Sequence, residues 1–122
     1  MPEQAGSAAP PVFDRSVLHG LFGGDTDLIG SVLRTYGQSM ATALVELRLA
    51  MDTGALAEAA EVAHRIKGAS RMSGAMALGA AAERLEQLAS AGDGIAARQC
   101  MQQVDDGWGR LREQLGALTS TP

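Results

Sequence analysis

The stretch Asp25–Gly54, DTDLIGSVLRTYGQSMATALVELRLAMDTG, decides the fold class. Leu28, Ile29, Val32, Leu33, Tyr36, Met40, Leu44, Leu47 and Met51 recur at a period near 3.6 residues, which marks one face of a helix. Asp25 stands at the N-cap position, and Asp27 falls in the first turn, where the helix dipole favours an acid. The predicted helix is about 27 residues long, or ~40 Å at 1.5 Å of rise per residue. Asp52-Thr53-Gly54 stops it.

The flanks read the same way. Upstream, Asp14 caps a short helix through about Phe22, which Gly23-Gly24 ends. Downstream, a third helix starts near Ala55, with Leu56, Ala59, Ala63, Ile66 and Ser70 on one face, and Gly74 marks its end. A fourth carries Leu78, Ala81, Ala82, Leu85 and Leu88, and stops at Ala91-Gly92. Asp93 then caps a fifth, with Ile95, Cys100, Met101, Val104, Trp108, Leu111, Leu115 and Leu118 as its apolar positions. There is no alternating strand pattern of useful length and no internal repeat. The expectation is all-α: an antiparallel four-helix bundle over residues 13–118 with a short additional N-terminal helix. Residues 1–12, rich in Ala and Pro, read as a flexible leader or linker, and 119–122 as a frayed tail.

Composition agrees. A chain of 122 residues is one domain's worth. With aromatics at only 3%, the core must come from Leu, Ala, Val, Ile and Met, which suits close-packed helices better than a β-sandwich. The net charge of −4 argues against nucleic acid, which needs a clustered basic surface. The only local basic group is Arg65, Lys67 and Arg71. Cys100 is alone, so it reads as a small buried residue rather than half of a disulfide or part of a metal cage. MPEQAGSAAPP lacks the basic and apolar regions of a signal peptide, and no apolar run approaches the ~20 residues of a membrane span. A soluble domain in a reducing, cytoplasmic setting is expected, with no membrane contact of its own.

Within the third helix, AHRIKGASRM (Ala63–Met72) holds an oddity. Gly68 lies one turn after His64, where a glycine costs roughly 0.5–1 kcal/mol relative to alanine. If Ala59, Ala63, Ile66 and Ser70 face the core, His64 points to solvent at the edge of the bundle. Its same-face neighbours are Ala60, Glu61, Lys67, Gly68 and Arg71. Two of these leave open space beside the ring, and Lys67 adds an ammonium. A neutral imidazole is a competent nucleophile near pH 7, so attack on a phosphoryl group, with Lys67 offsetting its charge, suits this setting. From spacing alone, a solvated surface histidine and a glycine packed on a neighbouring helix are the more usual reading of such a pair.

A resemblance discriminates between them. AHRIKGASRMSGA (Ala63–Ala75) resembles the signature of the histidine-containing phosphotransfer (HPt) domain around its phosphorylated histidine. LFGGDTDLIGSVLRTY (Leu21–Tyr36), ALAEAAEVAH (Ala55–His64) and ALGAAAERLEQLASAGD (Ala77–Asp93) are similar to flanking parts of that family. The resemblance covers about residues 13–118. It implies that His64 is the phosphoacceptor, at Nε2, that Lys67 is the charge partner of the phosphoryl group, and that Gly68 keeps the ring accessible. Ala60, Glu61 and Arg71 would meet the partner. Glu86, with Glu83 and Gln87 as neighbours, matches the position from which the family's next helix sets a polar side chain against the imidazole. Ala69 stands where the family usually has serine.

The resemblance further implies a phosphorelay intermediate, passing a phosphoryl group between receiver-domain aspartates of response regulators or a hybrid sensor kinase. It looks most like the C-terminal HPt domain of a bacterial hybrid kinase, monomeric as a domain; a small free-standing protein is the other context. With no ATP-binding segment bearing Asn and Gly boxes, the chain is expected not to phosphorylate itself. With no acidic cluster, it is expected to bind no metal, the Mg²⁺ of phosphoryl transfer residing in the receiver. Two rival readings are a non-catalytic helical adaptor and the phosphoacceptor domain of a chemotaxis-type kinase. The other conspicuous residues read as structural. His19 has no lysine-glycine companion, Asp105-Asp106 is a solvated face, and GLFGG (Gly20–Gly24) is a turn without the lysine of a phosphate loop.

Overall fold

The structure, a computed structural model, describes residues 9–119, with side chains through residue 116. The first eight residues of the leader, the Leu118 side chain and the tail beyond residue 119 lie outside the described residues. Asp14 opens helix α1 (Arg15–Phe22): its carboxylate accepts the Ser16 amide at 3.0 Å and the Ser16 hydroxyl at 2.6 Å. An amide with no partner inside the helix is thereby satisfied. Asp25 repeats the device on Leu28 N at 3.0 Å and starts α2 (Thr26–Asp52), and Asp93 does so on Ala96 N at 3.0 Å for α5 (Gly94–Thr119). Helices α3 (Leu56–Met72) and α4 (Met76–Ser90) begin without a side-chain cap.

Three-residue turns join α2 to α3, α3 to α4 and α4 to α5, so successive helices run antiparallel. Helix α5 returns against α2 and closes the bundle. Leu44, Leu47, Ile66, Leu78, Leu85, Val104 and Leu111 fill the centre. The α3–α4 pair is the most extensive contact in the bundle. Buried Ala59, Ala63, Gly79 and Ala82 let those two backbones approach.

Two residues expected in the core are exposed. Leu28 is 43% exposed because it stands about 100° off the Tyr36–Met40–Leu47 line at 100° per residue. Ile95 is 72% exposed, since nine residues from Val104 put it about 180° round α5. Ala97 takes the inward position instead. The leader also joins the fold earlier than its composition implies. Pro11 O accepts the Ala77 amide at 2.9 Å, Asp14 N donates to Gly74 O at 2.7 Å, and Val12 and Phe13 pack against the core. Gly74 makes this junction possible: its φ is +86°, and a Cβ there would collide with the Asp14 carbonyl oxygen. Among the described residues no helix is long and apolar enough to cross a membrane.

Candidate functional site

On α3, Val62, Ala63, Ile66 and Ser70 are buried, which turns His64 outward with its side chain 63% exposed. Helix α4 passes alongside and presents Glu86. The two carboxylate oxygens are used separately. Oε2 lies 2.9 Å from His64 Nδ1, and Oε1, shut off from solvent, lies 2.8 Å from Lys67 Nζ. The hydrogen bond from Lys67 holds the Glu86 carboxyl below its usual range; partial burial opposes this, and the contact with His64 assists it.

An ionised carboxylate only accepts hydrogen bonds, so Nδ1 must be the donor to Glu86. In the neutral ring that leaves Nε2 unprotonated, with a free lone pair. Nε2 has no hydrogen-bond partner among the described residues. The imidazole is therefore held at one nitrogen and available at the other.

The ground beside the ring is open. A Cβ built on Gly68 would meet nothing within 4 Å, and no positive φ occurs there. Neither helix packing nor backbone conformation requires that glycine. A shallow depression next to the ring is bordered by Ala60, Glu61, His64, Arg65, Glu86 and Ser90. Around it the cations are tied down: Arg65 Nη2 donates to Glu46 Oε1 at 3.0 Å, and Arg71 pairs with Glu83. Lys67, expected from the sequence to offset phosphoryl charge, is engaged by Glu86 and only 19% exposed.

The structure thus gathers His64, Lys67, Gly68 and Glu86 into one site, with Ala60, Glu61 and Arg71 around it. The remaining notable residues stay apart. His19 lines a cleft between α1 and α2. Asp105 pairs with Arg48, and Asp106 accepts Gln102 Nε2 at 3.3 Å. Burial pushes the Cys100 thiol above its ordinary pKa, which disfavours the reactive thiolate. Trp108 is half-buried, with the Arg112 guanidinium 5.9 Å from its ring centre.

Two features escaped the reading of the sequence. Ser90 borders the depression although it shares no motif with His64. Beneath the site, Tyr36 Oη and Ser70 Oγ are 2.6 Å apart in the core, joining α2 to α3. The second was foreseeable in kind: two polar groups on apolar faces must find partners when buried.

Comparison with known proteins agrees with the helical-bundle fold. The family model described as Hpt domain matches residues 31–120. The crystal structure of histidine-containing phosphotransfer protein B (HptB) from Pseudomonas aeruginosa PAO1 is similar with a TM-score of 0.82 and 25% sequence identity. That match covers 89% of this chain and 95% of HptB. No curated protein sequence matches.

Proposed function

The chain belongs to the Hpt domain family, and from that membership we propose that His64 is its phosphoacceptor, working at Nε2. Histidine phosphotransfer within a phosphorelay is the function, and receiver domains are the partners of such a module. The observation that carries the assignment to His64 is the 2.9 Å contact between its Nδ1 and Glu86. It leaves Nε2 as the free nucleophile, beside the open space at Gly68.

The step balances as an in-line displacement. The Nε2 lone pair attacks phosphorus of an aspartyl phosphate on the receiver; a P–N bond forms as the P–O bond to the aspartyl carboxylate breaks, and that carboxylate departs. As positive charge develops on the ring, Glu86 keeps the Nδ1 proton and stabilises the charge at hydrogen-bond distance. Lys67, one turn from His64, is the cation placed to exchange Glu86 for a phosphoryl oxygen once the transferred group arrives. Mg²⁺ held by the receiver supplies the remaining charge compensation. Ala60, Glu61 and Arg71 form the surrounding docking surface, and Gly68 lets the receiver's active site come down onto the ring. The reverse step returns the phosphoryl group to a second receiver. The setting that fits this work is the cytoplasm of a bacterium, with a hybrid sensor kinase as donor.

The test is direct. Incubation with a phosphorylated receiver should label the protein with an acid-labile, base-stable phosphoryl group. Label that persists in His64→Gln excludes His64 as the acceptor.

A further inference from the structure

Helix α4 faces α3 with a stripe at positions i, i+4 and i+7: Gly79, Glu83 and Glu86. The last two hold Arg71, Lys67 and His64. Gly79 holds nothing, yet it is buried against α3. A Cβ there would lie 3.2 Å from Arg71 Cγ, 3.6 Å from Ser70 Cβ and 3.7 Å from Lys67 O. One of those atoms belongs to the backbone of Lys67 itself. No positive φ occurs at Gly79, so its conformation makes no demand for glycine. The helix-propensity cost of a glycine against alanine is borne in a run that continues Ala80-Ala81-Ala82.

Of these neighbours only the Arg71 stem can give way. Ser70 is fully buried and bonded to Tyr36 on α2 at 2.6 Å, so α3 is fixed from behind. On the other side of α4, a Cβ at Gly107 of α5 would lie 3.6 Å from Leu78 Cα. Helix α4 is seated between two glycine contacts. Glu86 has no slack to absorb a change, because both its oxygens are committed, at 2.9 Å and 2.8 Å. A separation larger by about 0.5 Å carries both contacts towards the limit of hydrogen bonding.

We infer that Gly79 is a positioning residue for phosphotransfer: its missing side chain sets the α3–α4 spacing at which Glu86 reaches His64 and Lys67 together. The inference rests on His64 being the phosphoacceptor, but its primary readout does not. In the unphosphorylated protein, ¹⁵N spectra of the His64 ring should show one neutral tautomer, with the proton on Nδ1. Gly79→Ala requires the Arg71 stem to give way by a few tenths of an ångström, and should shift that signal slightly. Gly79→Val must part the helices; it should mix the tautomers and slow transfer about tenfold, the scale expected when a reacting group is misplaced by a fraction of an ångström. An unchanged His64 spectrum in Gly79→Val overturns the inference, as does slowed transfer with the tautomer intact. Should Gly79→Val not fold, Gly79→Ala decides alone, and a His64 signal identical to wild type overturns it. Phosphate found on another residue would instead remove the functional reading and leave the spacing result standing.

Discussion

Glu86 Oε2 lies 2.9 Å from His64 Nδ1, so the proton that must stay on the ring during phosphorylation is held by a residue 22 positions away in sequence. Replacing the carboxylate by an amide keeps the shape and removes the charge. Glu86→Gln is expected to slow phosphorylation of His64 about tenfold, a loss near 1.4 kcal/mol of transition-state stabilisation. The ¹⁵N spectrum of the ring should show the tautomer preference weakened in parallel. Wild-type transfer rates in Glu86→Gln would show that the contact is incidental.

Gly68 yields opposite outcomes for stability and for function. Because a Cβ there meets nothing, Gly68→Ala should stabilise the fold by about 0.5–1 kcal/mol through helix propensity alone. Urea unfolding measures this, and transfer should stay within about twofold for a single added methyl on open ground. Gly68→Glu should keep native helicity by circular dichroism and yet block transfer by crowding the approach to Nε2. A destabilised alanine variant would contradict the open space, and an active glutamate variant would contradict the steric role.

The Tyr36–Ser70 bond is a stability device. Burial raises the Tyr36 phenol to about 12, with the Ser70 hydrogen bond opposing that rise. Tyr36→Phe leaves the Ser70 hydroxyl only a weak contact, Met40 Sδ at 4.0 Å. Each of Tyr36→Phe and Ser70→Ala should cost about 1–3 kcal/mol, and the double mutant less than their sum. Additive losses would mean the two groups do not interact.

Acid should weaken the α3–α4 seam. The Glu86 carboxyl is depressed in the folded protein, chiefly by the hydrogen bond from Lys67. Its contribution is therefore complete above the unfolded carboxyl value of about 4.3 and is lost as pH falls through the lower folded value. The stability gap between wild type and Glu86→Gln should close as pH falls below about 4. A gap that widens below about pH 4 would reverse the sign of the coupling.

Gly74 is the glycine that the fold cannot give up. With φ at +86° and the Asp14 carbonyl where a Cβ would go, Gly74→Ala should destabilise by more than about 2 kcal/mol, combining left-handed strain with a clash. Gly68→Ala in the same assay provides the contrast of sign.

Much of this architecture was legible before any coordinates. The 3.6-residue period, the aspartates at 14, 25 and 93 and the glycines between helices are local signals, and local hydrogen bonding makes them self-sufficient. That is why α1 to α5 fall where the pattern puts them. The exceptions, Leu28 and Ile95, stand in the first turns of their helices, where apolar identity alone does not say which way a side chain turns. His64, Lys67 and Gly68 were also legible, because their spacing places them on one helix face.

What the sequence could not determine is which groups meet across the seams. It placed the Lys67 ammonium on the His64 face for a phosphoryl group; tertiary structure pairs that ammonium with Glu86. Nothing local separates Gly68 from Gly79, each a glycine inside a helix, whereas packing leaves one facing empty space and the other against the Arg71 stem of α3. Helix periodicity fixes the direction of a side chain to within a fraction of a turn. Hydrogen bonds and ion pairs are decided by tenths of an ångström between helices, and that distance exists only once the core has closed.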